Sequence, residues 1–416
     1  MPEHYDWFLG IDWGYDAHQI CLVDAAGQVH DTQSVEHNAA AVDGAIAWVL
    51  TRTAATPSQI AVAIEKPRGA LVATLLERGF PVYAINPKQL DRFRDRFSAA
   101  GAKDDQRDAH VLGDSLRTDR RAFHRVPVDD PLILPLRELA HAEADCQREL
   151  TRLANQLRDQ VYRIAPPLLR LCPAADEPWF WTLLEHAPTL AEQQRLTRTQ
   201  VLTVLRSHRI RRLTADHVLA ALRAPAFAVA PGVHDATREA ISLLIPRLRV
   251  VDAQRKRCVV RQDALLTELR ERPAEADPKE HCDVEILESL PGVGRMVTVA
   301  MLTQAAQPLA TRDYDRLRAH IGTAPITKAS GKSRLVQMRT ACAERLRAAA
   351  YHWGRVSIQQ DASAAAYYRR LRARGHTHGR ALRSVVDRWL RILVAMLRHR
   401  TLYDPKRFVT SATVHV

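Results

Sequence analysis

The sequence predicts an α/β domain at the N-terminus, then a long helical arm, then an α-helical C-terminal domain. Three observations carry that expectation. Short β-rich runs alternate with helix-like stretches as far as Val126. From Pro131 to Tyr162, leucines then recur at helical spacing among charges. Arginine-dense helical segments finally surround a Pro-Gly-Val-Gly turn in the last third. The boundaries that follow are 1–128, 129–278 and 279–416, each region long enough to bury a core.

Taken in order, WFLGID and HQICLVDA are strand-like, and AAGQV reads as the hairpin turn leading to a third strand. A helix follows from Ala39 to about Arg52. IAVAIE is the unbroken apolar run of a buried strand and ends on the carboxylate of Glu65. GALVATLLERG is a helix closed by Gly79. PVYAIN is another strand, and Pro87 opens the helix PKQLDRF. Three early strands followed by β/α alternation predict a mixed sheet with helices on its faces.

Around Val126 the texture changes. LRELAHAEADCQRELTRLANQLRDQVY is a long amphipathic helix, a coiled-coil arm in outline, which the APP at 165–167 breaks. Residues 175–275 are helical in composition and carry no chemical motif. Within them, LLIPRLRVVDAQRKRCVVRQDALLTELRER reads as a second long helix returning along the first. Such an antiparallel pair is more often a structural or dimerising arm than a catalytic part. After the polar break ERPAEADPKEH comes EILESLPGVGRMVTVAMLTQA, a helix, a tight turn and a helix: a helix-hairpin-helix-like element. The remainder stays helical to about His399.

The bulk composition narrows the function class. Hydrophobic residues make up 46% and charged residues 26%, which is ordinary globular material. No apolar run reaches the ~20 residues of a membrane span, and the start MPEHYDWFLGID does not read as a secretory signal. Six scattered cysteines without a CxxC pair argue against a zinc site or a disulfide framework. They suit a reducing cytosol, so the expected location is the cytoplasm. Sixty Lys and Arg against 47 Asp and Glu give a formal charge of +13, with arginine far in excess of lysine. Guanidinium forks suit phosphate oxygens, and a positive field steers polyanions. A GC-rich genome also inflates arginine, so charge alone leaves nucleic-acid binding and a merely solvated surface both open.

The sharpest chemical pattern is acidic. Asp12 ends the first predicted strand and Glu65 another, while Asp105 and Asp108 lie three apart in KDDQRDAH, on one helical face. Each alone reads as a surface acid or a helix cap, and Asp104 as an N-cap. Together, on a ribonuclease H-like sheet, they are what hard divalent cations require: oxygen ligands, with a substrate phosphate completing the shell. A second pattern is LPGVGRM, where Gly292 and Gly294 expose backbone N–H groups able to hold a nucleic-acid phosphate; the bland alternative is a helix corner. The third is ITKASGKSR. A nucleotide-binding loop needs a glycine five residues before Gly331, and Ile326 stands there. No strand is expected to lead in either, since GTAPITKAS reads as a loop. What remains is Ser330 among Lys328, Lys332 and Arg334, with Arg339, Arg345 and Arg347 following on the next helix. A serine in such a loop usually only hydrogen-bonds phosphate, but neighbouring cations also lower the cost of using it as a nucleophile.

The order Asp12, Glu65, KDDQRDA, long helical arm, LPGVG, SGKSR, AYYRRLRARG and LYDP resembles the DEDD transposases of the insertion-sequence 110 and 1111 group, relatives of the pilin-gene invertases. The resemblance covers nearly the whole chain and rests on order and spacing, no single motif being specific. It implies a RuvC-like N-terminal domain whose tetrad, here Asp12, Glu65, Asp105 and Asp108, binds Mg²⁺, or Mn²⁺ in its place. It further implies a C-terminal transposase domain whose serine, here Ser330, links transiently to DNA. The implied partners are donor and target DNA, an element-encoded guide RNA and further copies of the chain in a dimer or tetramer, with no membrane. Two departures stand out. Asp104 occupies the family's usual threonine position, where it could compete as a ligand, and Lys66-Pro67-Arg68-Gly69 is more basic than usual. The rival readings are a RuvC-type hydrolytic nuclease or Holliday junction resolvase, and a non-catalytic nucleic-acid-binding derivative.

Overall fold

The computed structural model describes residues 4–67, 69–97, 104–126, 130–225, 227, 229–272, 281–331 and 333–406. The chain forms two compact units, Met1–Asp129 and Asp130–Val416.

In the first unit a six-stranded mixed sheet forms from β1 (Trp7–Asp12), β2 (Ala17–Asp24), β3 (Val29–Glu36), β4 (Ile60–Ile64), β5 (Val82–Ala84) and the two-residue β6 (His124–Arg125). The order is β3-β2-β1-β4-β5-β6. The first three strands run as an antiparallel meander, and β4 and β5 run parallel to β1. β4 is buried along its whole length, as a strand covered on both faces must be. Its alternate residues feed two cores. Ile60, Val62 and Ile64 pack with α1 (Ala39–Thr53) and α2 (Ala70–Glu77). Ala61 and Ala63 pack on the other face with Leu90 of α3 (Pro87–Phe97) and with Leu112 and Leu116 of α4 (Asp105–Thr118).

At Gly10, α4 lies against β1 backbone to backbone. A Cβ on Gly10 would sit 1.8 Å from the Ala109 carbonyl oxygen and 2.5 Å from the Gly113 nitrogen. Glycine is therefore required in the strand because the helix backbone occupies the space of a side chain. At its far end α4 sends Arg117 to the β2–β3 turn, where Nη1 donates to the Ala25 carbonyl. That turn flanks the start of β1, so α4 runs antiparallel to β1 and its N-terminus lies at the strand's C-terminal end.

The second unit is helical apart from one hairpin. α5 (Ile133–Ile164) and α10 (Pro231–Glu271) form the expected pair of long helices. They are antiparallel, since Glu143 accepts from Gln262 Nε2 at 2.9 Å and Arg247 pairs with Glu149. α10 continues through Pro246, whose missing N–H leaves the Ser242 carbonyl without its helical donor. Between the long helices, α6 (Pro178–His186), α7 (Leu190–Arg195), α8 (Arg198–Ser207) and α9 (Ala215–Leu222) wrap a core around Trp179, Phe180 and Trp181. The opposite ends of the pair, Leu136 and Leu265 among them, enter a different core. That core is built by α11 (Asp283–Glu288), α12 (Arg295–Gln304), α13 (Ala306–Ala310), α14 (Tyr314–Ile321), α15 (Glu344–Gln360), α16 (Ala362–Ala373) and α17 (His378–His399). The arm is thus a rod with a hydrophobic core at each end. Among the described residues, no helix is long and apolar enough to cross a membrane.

One sequence expectation changes. ITKAS is not a loop: β7 (Ile326–Ser330) pairs antiparallel with β8 (Ser333–Gln337). The two strands were hard to read because nine of their ten residues are exposed, which erases the inside–outside alternation. The strand leads into a second strand and not into a helix, so a nucleotide-binding loop remains excluded.

Candidate functional site

The acidic positions of the first unit gather at one edge of its sheet. Register pairs Ile11 with Ile64, which brings Asp12 and Glu65 out of neighbouring parallel strands side by side. The residues after them also meet, for Lys66 Nζ lies 4.2 Å from the centre of the Trp13 ring. Asp12 and Glu65 share the parity of Gly10, Ala61 and Ala63, and so face α4. The first turn of α4, with Asp105 and Asp108, lies at this edge because the helix runs antiparallel to β1. Acids are favoured there by the positive end of the helix dipole.

The four positions differ in state. Asp12 and Glu65 are half-buried and Asp105 is exposed. Asp108 is buried and held bidentately by Arg94, whose Nε and Nη2 donate to its two oxygens at 2.8 Å each. Arg94 also donates to Asp91 at 2.6 Å. Asp104 has a separate task, accepting the Gln106 N–H as the N-cap of α4. Sequence spacing pointed to Asp105 and Asp108, but nothing local announced Arg94 as a partner fourteen residues away. Gln19 was likewise missed. It stands opposite Asp12 in β2, and its Oε1 is buried and accepts no hydrogen bond from a described residue.

This donor set has the chemistry of a divalent-cation site: several carboxylates and an orphaned carbonyl oxygen on one edge. The carboxylates are not drawn into a tight cluster. Among the described residues, Cys172, Asp176 and Glu177 are the one group of three potential ligands with donor atoms mutually within 4.8 Å. That trio is a structural corner. Arg212 holds Glu177 at 2.6 Å, and burial pushes the Cys172 thiol up to about 11, so it keeps its proton.

In the second unit, Ser330 is the last residue of β7 and pairs with Ser333 across a two-residue connection that begins with Gly331 at φ +53°. Cross-strand parity divides the nearby cations. Lys328 shares a face with Ser330, whereas Arg334 pairs with Ala329 and points to the other face. Lys332 lies outside the described residues. Arg339 follows β8 in an irregular segment, not on α15 where Arg345 and Arg347 sit. With Arg318, Tyr367, His376, Arg380 and Arg383 it lines a cleft of about 420 Å³. Leu335 and Val336 are more than half exposed on this hairpin.

The Pro-Gly-Val-Gly turn is bound from within. Gly292, at φ +80°, donates its N–H to Gln360 Oε1 at 2.7 Å, and a Cβ there would sit 2.7 Å from the Ser357 nitrogen of α15. Trp353 Nε1 holds the Pro291 carbonyl at 3.0 Å. The Gly292 N–H expected to face a phosphate is therefore already engaged. Gly294 caps α12, with open space where a Cβ would be.

Comparison with known proteins follows the same division. A DEDD transposase profile of the insertion sequence IS110 type matches residues 9–166, and a profile described as transposase of the IS116/IS110/IS902 family matches residues 284–369. A protein of Sinorhizobium fredii assigned as transposase y4uE is 40% identical over 216 residues, 52% of this chain and 60% of that protein's length. A mini-circle protein of Streptomyces coelicolor assigned as the transposase for IS117 is 31% identical over 408 residues, 96% of each chain. The insertion element IS110 43.6 kDa protein of the same species is 27% identical over 96% of each. With both profiles and a full-length relative in agreement, the chain belongs to the IS116/IS110/IS902 family of transposases.

Proposed function

We propose that the chain is a divalent-metal-dependent DNA transposase that exchanges strands through a phosphoserine link. The observation that carries the metal half is the convergence of Asp12, Glu65 and the first turn of α4 on one edge of the six-stranded mixed sheet, which we read as ribonuclease H-like and RuvC-like. Asp12, Glu65 and Asp105 would hold Mg²⁺, or Mn²⁺, and Asp108 joins them when Arg94 releases it. The bound ion supplies Lewis-acid polarisation of a phosphate oxygen. Arg94, once released, is a guanidinium fork suited to a phosphate.

The serine half rests on exposure and company. Ser330 Oγ, at the tip of an exposed hairpin, forms a bond to phosphorus as the bond to the leaving deoxyribose oxygen breaks. The serine's proton passes to a base and the leaving oxygen gains one. The phosphodiester is exchanged and not hydrolysed, so its energy remains available for joining. Lys328, on the serine's own face, screens the phosphate charge, while Arg334, Lys332 and Arg339 hold the strand around it. Gly294 remains a backbone contact for phosphate. The positive charge and the family placement support DNA as substrate, an element-encoded guide RNA as partner and a dimer or tetramer joined through the α5–α10 arm.

The test is Ser330→Ala. DNA and RNA binding should persist, and denatured reaction mixtures should contain no DNA attached to protein. An adduct surviving in that variant would sink the serine's role. If the unmodified chain cleaved DNA with Mg²⁺ and never formed an adduct, a hydrolytic nuclease would be the better reading.

A further inference from the structure

Gln19 is placed by the sheet, not by a loop. It stands directly opposite Asp12 in the antiparallel β1–β2 pair, and opposed residues in such a pair share a face. The next residues of its parity, Cys21 and Val23, pack with Phe8 and Leu112 beneath α4. Residues of the other parity, Ile20 and Leu22, pack with Val35 and Ile46 on the far side. Three adjacent strands therefore present Gln19, Asp12 and Glu65 in a row on the face that α4 covers.

The state of the side chain is unusual. Gln19 Oε1 is buried and accepts no hydrogen bond from any described residue. A buried acceptor without a donor is costly, and an apolar residue of the same shape would avoid that cost. A buried oxygen lone pair on the strand face that also carries Asp12 and Glu65 wants a cation or something attached to one. A neutral amide also suits the metal-free edge, where a further carboxylate would add repulsion that only a bound cation offsets.

We propose that Gln19 is a neutral oxygen donor in the cation's shell, an additional member of the site formed by Asp12, Glu65, Asp105 and Asp108. The inference rests on the reading of this edge as a divalent-cation site. Hard cations accept amide carbonyl oxygens beside carboxylates. The donor strengthens binding without adding charge and fixes the ion on the β2 side of Asp12.

The experiment uses the full chain carrying Ser330→Ala, with Mn²⁺ alone as probe and binding followed by the loss of the free-ion electron paramagnetic resonance signal. Gln19→Met keeps the shape and removes the oxygen, and should weaken Mn²⁺ about tenfold with the metal-free melting temperature unchanged or raised. Gln19→Glu keeps an oxygen donor and should retain the affinity. Gln19→Met binding Mn²⁺ as tightly as glutamine would overturn the proposal. So would Gln19→Glu as weak as the methionine variant, since the amide N–H would then be the active group. Asp12→Asn separates the layers. If it leaves Mn²⁺ affinity intact, the acidic edge is no cation site and both readings fall; if it abolishes binding while Gln19→Met does not, only the role of Gln19 falls.

Discussion

The two regions that carry the proposed chemistry are built on opposite principles. The acidic edge of the first unit is set by packing: strand β1 and helix α4 touch backbone to backbone at Gly10, and β4 beside them is wholly buried. The serine hairpin is set by almost nothing. Its two strands are exposed along nearly their whole length, and a Cβ on Gly331 would meet no atom within 4 Å. A lone two-stranded ribbon is marginal in water. A cation site needs ligands fixed before the ion arrives, whereas a nucleophile that must follow a moving DNA strand is served by a compliant support. Substitutions in the two regions should therefore fail in different ways.

The largest effect is expected at Gly10. Gly10→Val must push α4 off the sheet, and should destabilise the first unit by about 3 kcal/mol. Chemical denaturation followed by circular dichroism measures this, and Mn²⁺ affinity should fall with it as the first turn of α4 leaves Asp12. Unchanged stability would show that α4 can shift freely and that this contact does not set the edge.

Arg94→Ala comes next and has two signs. It leaves the Asp108 carboxylate, whose side chain is 3% exposed, without its partner, so metal-free stability should drop by about 2–3 kcal/mol. Since Arg94 no longer competes for those oxygens, Mn²⁺ should bind more tightly and restore the melting temperature. A variant that loses both stability and metal affinity would mean that the pair orients the site and does not oppose the ion.

The acid response of the first unit should be smaller and should run through His18. This residue is fully buried on β2, and its Nε2 lies 2.8 Å from His37 Nδ1. Burial first, and the charge of His37 second, hold its pKa below the ordinary 6.5. The folded state thus refuses a proton that the unfolded chain accepts. Stability is complete above about pH 6.5 and declines as pH falls below it, until His18 itself takes the proton. His18→Gln keeps a polar group toward His37 without titrating. Melting curves at pH 8 and pH 5.5 should lie closer together in that variant, and an equal gap would remove His18 as the cause.

The same contrast explains what could be read in the sequence. β1, β2, β4 and β5 were legible because buried strands are apolar runs with carboxylates or turns at their ends. The long helices of the arm were legible from leucine spacing. β6 is two residues long and carries no pattern, and the serine hairpin lacks one because both faces are wet. Asp12 and Glu65 were conspicuous as acids ending apolar strands. The capping of α4 by Asp104, through the Gln106 N–H, was only suggested by spacing. Gln19 beside Asp12 depends on strand register, and Arg94 on Asp108 and Gln360 on the Gly292 N–H depend on packing between separate elements; such pairs leave no local periodicity. The division of Lys328 and Arg334 between two faces became readable only once the register of the hairpin was known.

The smallest expected effect on the fold is at Gly331, and it tests the compliant side of the comparison. Its φ of +53° lies in the left-handed region, where a Cβ costs about 1–2 kcal/mol. In a region this exposed the cost falls on the hairpin and not on the second unit. Gly331→Ala should leave the melting temperature unchanged while reducing strand exchange about fivefold or more, the population penalty for a 1 kcal/mol change. Gly331→Asn, a residue that enters this region more readily, should lie between alanine and glycine. Single-turnover joining assays at saturating DNA measure the order. Alanine as active as glycine would show that bound DNA fixes the hairpin regardless of its intrinsic preference. A fall in melting temperature would show that the hairpin is cooperative with the helical core, contrary to its exposure.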